Sequence, residues 1–297
     1  MFSQNIGDGV GGWPASLQKL AFGYSFDIVV TTWPKNLRSL SLGNGFDQPI
    51  DGVEWPDSLR ELELGQRFNR PIYGVAWPAS LRRLTFGTEG SFDQAIDRVN
   101  FPESMEVLEF GWKFNQPITR VRWPPSLRQL RFGWAFNQAV QGVHWPNSLQ
   151  TLTFGQNFNQ PVVGERNNNR VAWPASLRRL EFGGEFQQPL EGIVLPPALV
   201  ELVLGYQFNH PIDRVAWPAS LRQLTLGGRF NHPLRELPPG LTELILRLDR
   251  DNCDRSLTGV RWPTGLTKLT LPVWIDIDGV VLPEGAKVKV VRYRYHE

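Results

Sequence analysis

The dipeptide Trp-Pro returns along this chain with a period that decides most of what the chain can fold into. It occurs at Trp13, Trp33, Trp55, Trp77, Trp123, Trp145, Trp173, Trp217 and Trp262. The same slot reads Phe101-Pro102, Leu195-Pro196, Leu237-Pro238 and Leu282-Pro283. Successive steps lie 20 to 28 residues apart, most often 22. A unit that short cannot bury its own apolar side, but stacked on copies of itself it can, so the period predicts a solenoid of about thirteen rungs. The phrase runs the whole length with no candidate linker, and the expected organisation is a single repeat domain over residues 1–297.

The slots of one phrase show which side chains point inward. In the rung that starts at Trp55 they are Trp55, Leu59, Leu62, Leu64, Phe68, Ile72 and Val75. The alternation at Leu62-x-Leu64 marks a short half-buried strand. The strand then meets a glycine, at Gly43, Gly65, Gly87, Gly111, Gly133 and Gly155, where a tight turn with positive φ is expected. Pro56 and Pro71 fix φ and remove a donor, so they mark extended corners. No 3.6-residue periodicity survives in the unit. The fold class expected is mainly β with little or no α-helix. Each rung should hold one strand, two corners and a second extended or short-strand segment, as around Val75-Ala76-Trp77. Asn69, Asn115, Asn137, Asn159, Asn209 and Asn231 share one slot, which Asp27, Asp47 and Asp93 fill in other rungs. Side chains with an acceptor oxygen there can bond backbone N–H groups that the turn leaves unpaired, forming a ladder along the stack.

Leu59-x-x-Leu62-x-Leu64 followed by a turn with Asn resembles the leucine-rich repeat. Phe-Asn-Gln-Pro-Ile at 114–118 and Pro-x-Ser-Leu at 124–127 resemble the FNIP repeat, a 22-residue relative of it. This chain is a Trp-rich variant, with Trp where that family more often has Leu before Pro. The resemblance implies a horseshoe or flatter solenoid with a binding role. It brings no shared catalytic activity and no site residues to carry over.

Several function classes are disfavoured by what the repeat contains. Lys+Arg number 31 against 29 Asp+Glu, a net charge of +2, which gives no electrostatic case for nucleic acid. Arg38, Arg60, Arg82, Arg128, Arg178 and Arg222 share a flank slot, but Glu106, Gln150 and Val200 interrupt the stripe. No apolar run approaches membrane-spanning length. The single cysteine, Cys253, falls in the Phe slot and reads as a buried small apolar residue. His210 and His232 occupy the Gln slot one rung apart, with no third ligand recurring beside them, so neither a metal nor another cofactor is expected. There is no Gly-rich phosphate loop, nucleophile elbow or carboxylate pair outside the repeat, so no catalytic residue is assigned and no enzyme is expected. The N-terminus lacks a secretory signal, which points to an intracellular, cytoplasmic protein.

The functional reading is therefore a non-enzymatic protein-interaction or structural scaffold. The alternative is a carbohydrate- or small-ligand-binding module using surface aromatics. The outward strand positions should line the concave face, with Glu61 beside Arg83, Glu109 beside Arg131 and Arg179 beside Glu201 as charge pairs between rungs. The slot after the strand-ending glycine reads Tyr24, Asn44, Gln66, Thr88, Trp112, Trp134, Gln156, Gly184, Tyr206 and Gly228. That variability says the fold needs no aromatic there. Trp112 and Trp134 form an exposed patch at the rim, or else fold down over the turn beside Lys113 and Ala135. Trp112, Trp134, Arg83 and Arg131 are the candidate partner-binding residues. The insertions at 88–91, 164–169 and 248–252 are the other candidate contact surfaces. Self-association is expected through the N-terminal edge, where Phe2-Ser3-Gln4-Asn5-Ile6 opens inside a phrase. The C-terminal run Lys287–Tyr295 alternates charged with apolar residues and blunts its own edge.

Overall fold

The computed structural model describes residues 13–164, 171–250, 257 and 259–292. The stretch Phe2–Ile6, insertion residues 165–169, 251 and 252, Cys253 and Tyr293–Tyr295 lie outside the described residues. The chain divides into two compact units, 1–138 with 143–149, and 139–142 with 150–297. Unit 1 carries β1 (Lys19–Ala21), β2 (Ser39–Ser41), β3 (Glu61–Glu63), β4 (Arg83–Thr85), β5 (Val107–Glu109) and β6 (Gln129–Arg131). Unit 2 carries β7 (Thr151–Thr153), β8 (Arg179–Glu181), β9 (Glu201–Val203), β10 (Gln223–Leu226), β11 (Glu243–Leu246), β12 (Lys268–Pro272) and β13 (Lys287–Val291). Within each unit every strand pairs in parallel with the next at identical slots, as in Glu61↔Arg83, Leu62↔Leu84 and Glu63↔Thr85. There is no α-helix among the described residues. The fold is the leucine-rich-repeat-like β-solenoid that the period predicts.

A rung closes through three hydrogen-bonded turns rather than the two corners expected. Around β5 and β6 they run from Phe114 N to Gly111 O (3.3 Å), Val121 N to Ile118 O (3.2 Å) and Leu127 N to Pro124 O (3.1 Å). In the third, the proline of Trp-Pro is the first residue of the turn and its carbonyl accepts the bond that closes it. The second extended segment is present, but strand pairing there is confined to one bridge, Thr32↔Glu54, among the described residues.

Apolar side chains stack in columns behind the strands. Phe92, Phe114 and Phe136 follow one another at 6.1 Å with nearly parallel rings. Trp33, Trp55 and Trp77 do so at 6.2 Å. Centroids of equivalent rings measure the rung spacing at their own depth. Paired strands lie about 4.8 Å apart. The Phe86–Phe110 and Phe110–Phe132 steps just behind them are 5.4 and 5.8 Å, and the deeper columns are at 6.1 Å. Spacing that widens away from the strands puts the strand face of unit 1 on the inside of its curve.

The strand-ending glycines serve a different purpose from the one expected at most rungs. Gly43 and Gly87 do have positive φ, at 74° and 69°. Gly65, Gly111 and Gly133 do not. A Cβ on Gly65 would lie 1.7 Å from the Gly43 carbonyl oxygen, and one on Gly133 would lie 1.8 Å from that of Gly111. These positions need glycine because consecutive rungs touch there, backbone on backbone.

Two polar ladders lock the register. Asn115 N–H donates to Asp93 Oδ1 (2.8 Å), and Asn137 N–H donates to Asn115 Oδ1 (2.9 Å). The acceptor serves the next rung, not its own turn. The Gln slot joins in, as Gln116 Nε2 and Gln138 Nε2 donate to the same two oxygens at 2.9 and 3.0 Å. The second ladder runs through the serines. The Ser of Pro-x-Ser-Leu donates its hydroxyl to a carbonyl one rung back, as from Ser58 to Leu37 and from Ser148 to Leu127, both at 2.7 Å.

Candidate partner-binding face

On the inside of unit 1 the outward strand positions alternate in charge, but the pairs are not all those expected. Arg83 turns away from its in-register neighbour Glu61 and binds Glu109 diagonally, Nη2 to Oε1 at 2.8 Å. Glu109 is thereby engaged, and the exposed Arg131 beside it has no side-chain partner among the described residues. Glu61 and Glu63 are also exposed. In unit 2, Arg179 does pair with Glu201, and it also holds Glu181. Burial opposes the Arg179 charge, yet the hydrogen bonds it donates to these two carboxylates raise its pKa above the usual arginine value. Exposed pairs of this kind contribute about 0–1 kcal/mol each, so they tune register and surface pattern rather than hold the stack.

Trp112 and Trp134 sit where each chain leaves its strand, one rung apart. Their ring centroids are 5.6 Å apart with planes tilted by 46°. They are 46% and 52% exposed, whereas Trp123 in the Trp-Pro slot is 8% exposed. Backbone bonds fix the local alignment: Ala135 N donates to Trp112 O (2.7 Å) and Lys113 N to Gly90 O (3.1 Å). The residue equivalent to Trp112 one rung back is therefore Gly90, not Thr88. The insertion loops Thr88 and Glu89 outward, both exposed. A glycine at 90 leaves the neighbouring rung without a side chain against which Trp112 could fold.

The same row in unit 2 shows what folding down looks like. Tyr206 leans across the next rung and donates its hydroxyl to Asp249 two rungs away. A Cβ on the intervening Gly228 would lie 2.4 Å from the Tyr206 ring. That hydrogen bond, with partial burial, raises the Tyr206 pKa above the usual phenol value. Gln156 likewise lies over Gly184. Tyr206 and Gln156 each lie over a glycine that follows them in this row, and Trp112 is followed by Trp134.

The histidines stay within the repeat. His210 Nε2 faces the Gln187 carbonyl (3.0 Å) and His232 Nε2 that of Asn209 (3.1 Å), as the Gln side chains do elsewhere. Among the described residues there is no group of three or more His, Cys, Asp or Glu placed to hold a metal, and no helix long and apolar enough to cross a membrane.

Comparison with known proteins agrees with this geometry. The FNIP Repeat family model matches residues 46–89, 92–135, 173–207 and 208–249, together over half of the chain. No curated protein sequence matches. Among solved structures the chain is similar to CroV588, described as a novel circular LRR protein, with 29% identity and a TM-score of 0.54, over 94% of this chain and 50% of that one. It is also similar to TLR13 solved in complex with ssRNA13, with 18% identity and a TM-score of 0.67, over 93% of this chain and 43% of that one. A third is the internalin InlF of Listeria monocytogenes, with 16% identity and a TM-score of 0.55, over 95% of this chain and 88% of that one. The chain spans half or less of the length of the first two, and the last two share its fold alone.

Proposed function

Since this chain belongs to the FNIP repeat family, we propose that it is a non-enzymatic binding protein whose ligand is another protein. The partner is held on the inner strand face of unit 1, with Trp112 and Trp134 as anchors and Arg83 and Arg131 on the same face. The observation that carries this reading is the pair of half-exposed indoles standing next to each other in a slot the fold leaves free. Exposed aromatic clusters on a face that also carries an unpaired arginine, here Arg131, are where interface energy concentrates. A saccharide would stack best on one flat platform, and rings tilted by 46° do not offer one, so the tilt supports a protein partner over a sugar.

The test is the double variant Trp112→Ala/Trp134→Ala. Its melting temperature should stay close to that of the parent protein, because neither ring fills the core. Its affinity for the partner captured by the parent protein should fall roughly thirtyfold or more, the loss of a hot spot of about 2 kcal/mol. A large fall in melting temperature, or full retention of the partner, would refute the assignment.

A further inference from the structure

A cavity of about 440 Å³ opens at the start of β3–β5, walled by Arg60, Glu61, Arg82, Arg83, Glu106 and Val107. Half of these side chains are guanidinium groups, and little of their hydrogen-bonding capacity is used. Arg82 spends one nitrogen on Glu106 (2.6 Å) and Arg83 one on Glu109 (2.8 Å). A guanidinium has five N–H donors in a planar fork. Arg60 is exposed and makes no side-chain hydrogen bond or ion pair among the described residues, and the same holds for Arg38 one rung earlier. Glu61 keeps a free carboxylate at the wall because Arg83 has turned to Glu109.

We propose that this cavity is a carboxylate-binding subsite that takes an aspartate, a glutamate or a chain-terminal carboxylate of the protein partner. The proposal rests on the protein-binding reading above and deepens it. Arg60 and the unused edges of Arg82 and Arg83 offer paired planar donors, which match a carboxylate in a bidentate way. Val107 gives the methylene stem of an acidic side chain an apolar wall. Glu61 and Glu106 limit the charge the site tolerates, since Glu106 already holds Arg82 and Glu109 holds Arg83, which leaves Arg60 as the guanidinium without an ion pair. A single carboxylate matches that one free cation. A dianionic phosphate would bring twice the charge next to Glu61. The acidic wall thus selects against phosphate by repulsion.

The test uses the full chain and four probes: a short glutamate homopeptide, the matching glutamine peptide, inorganic phosphate and an oligothymidylate. Titration calorimetry at low and physiological salt reads binding. The glutamate peptide should bind, more weakly at higher salt, and the glutamine peptide should not. Arg60→Gln should weaken the peptide about tenfold, and Glu61→Gln should improve phosphate binding relative to it. No binding of the glutamate peptide, binding by the Arg60→Gln and Arg82→Gln variants as tight as by the parent protein, or tighter binding of phosphate or oligothymidylate would overturn the proposal. Trp112→Ala/Trp134→Ala separates the two readings. Peptide binding that survives in this variant while protein capture also survives sinks the Trp assignment and keeps the subsite. Protein capture lost with the Trp pair but untouched by Arg60→Gln and Arg82→Gln sinks the subsite and keeps the Trp assignment.

Discussion

Gly133→Ala should destabilise the protein by about 3 kcal/mol, near the upper end for overpacking a close contact. The added methyl would sit 1.8 Å from the Gly111 carbonyl oxygen and 2.3 Å from its carbon. Neither is the end of a flexible side chain. Relief requires β5 and β6 to separate or slide, and the strand pairing, the Asn ladder and the Phe column all oppose that together. Gly23 occupies the same slot in the first described rung, and a Cβ there meets nothing within 4 Å. Gly23→Ala should therefore change stability by about 0.5 kcal/mol or less. Urea melts of the two variants make the comparison. Equal losses would mean that the glycine slot is set by local chain conformation and not by contact between rungs.

The second large effect concerns the amide ladder. Asn115 Oδ1 accepts from Asn137 N–H at 2.9 Å and from Gln138 Nε2 at 3.0 Å. Asn115→Ala leaves two part-buried donors without that acceptor, at a cost of about 1–3 kcal/mol. Asn115→Asp keeps an oxygen in the same place, and Asp47 and Asp93 already use one to hold Asn69 and Asn115. Its cost should be well below that of alanine. Thermal melts in which alanine and aspartate lose equally, or neither loses, would show that the repeated acceptor has no structural role.

Much of this architecture was legible before any coordinates, because each slot recurs often enough to expose its requirement. The Trp-Pro slot accepts Phe101 and Leu195, so it demands only apolar volume, and Phe101 and Leu195 are buried as Trp33, Trp55, Trp123 and Trp145 are. The strand of each rung falls where Leu62-x-Leu64 alternates. What the pattern hid were properties of the stack rather than of the rung. Whether a recurrent glycine supplies positive φ, as at Gly43, or makes room for a carbonyl one rung away, as at Gly65, leaves the same letter in the sequence. The recurrent Ser gave no sign that its hydroxyl reaches back to the preceding rung.

The candidate site was legible by contrast, since Trp112 and Trp134 break a slot that is otherwise variable. Its surroundings were not. Pairing by adjacency put Glu61 with Arg83, but a long side chain can reach diagonally, and Arg83 reaches Glu109. Counting from the strand-ending glycine placed Thr88 next to Trp112. The backbone bond from Lys113 to Gly90 shows that the two-residue insertion displaces the register, which leaves the first indole beside a bare glycine.

Hydroxyl-radical footprinting of the protein, alone and with its captured partner, tests most directly whether binding rests on the residues that depart from the repeat. Trp112 and Trp134 should be oxidised readily in the free protein and protected in the complex. Tyr73, 61% exposed on the turn between Ile72 and Val75, is the internal reference and should react equally in both states. Protection of Tyr73 with unchanged oxidation of Trp112 and Trp134 would place the partner elsewhere on the solenoid and contradict the account.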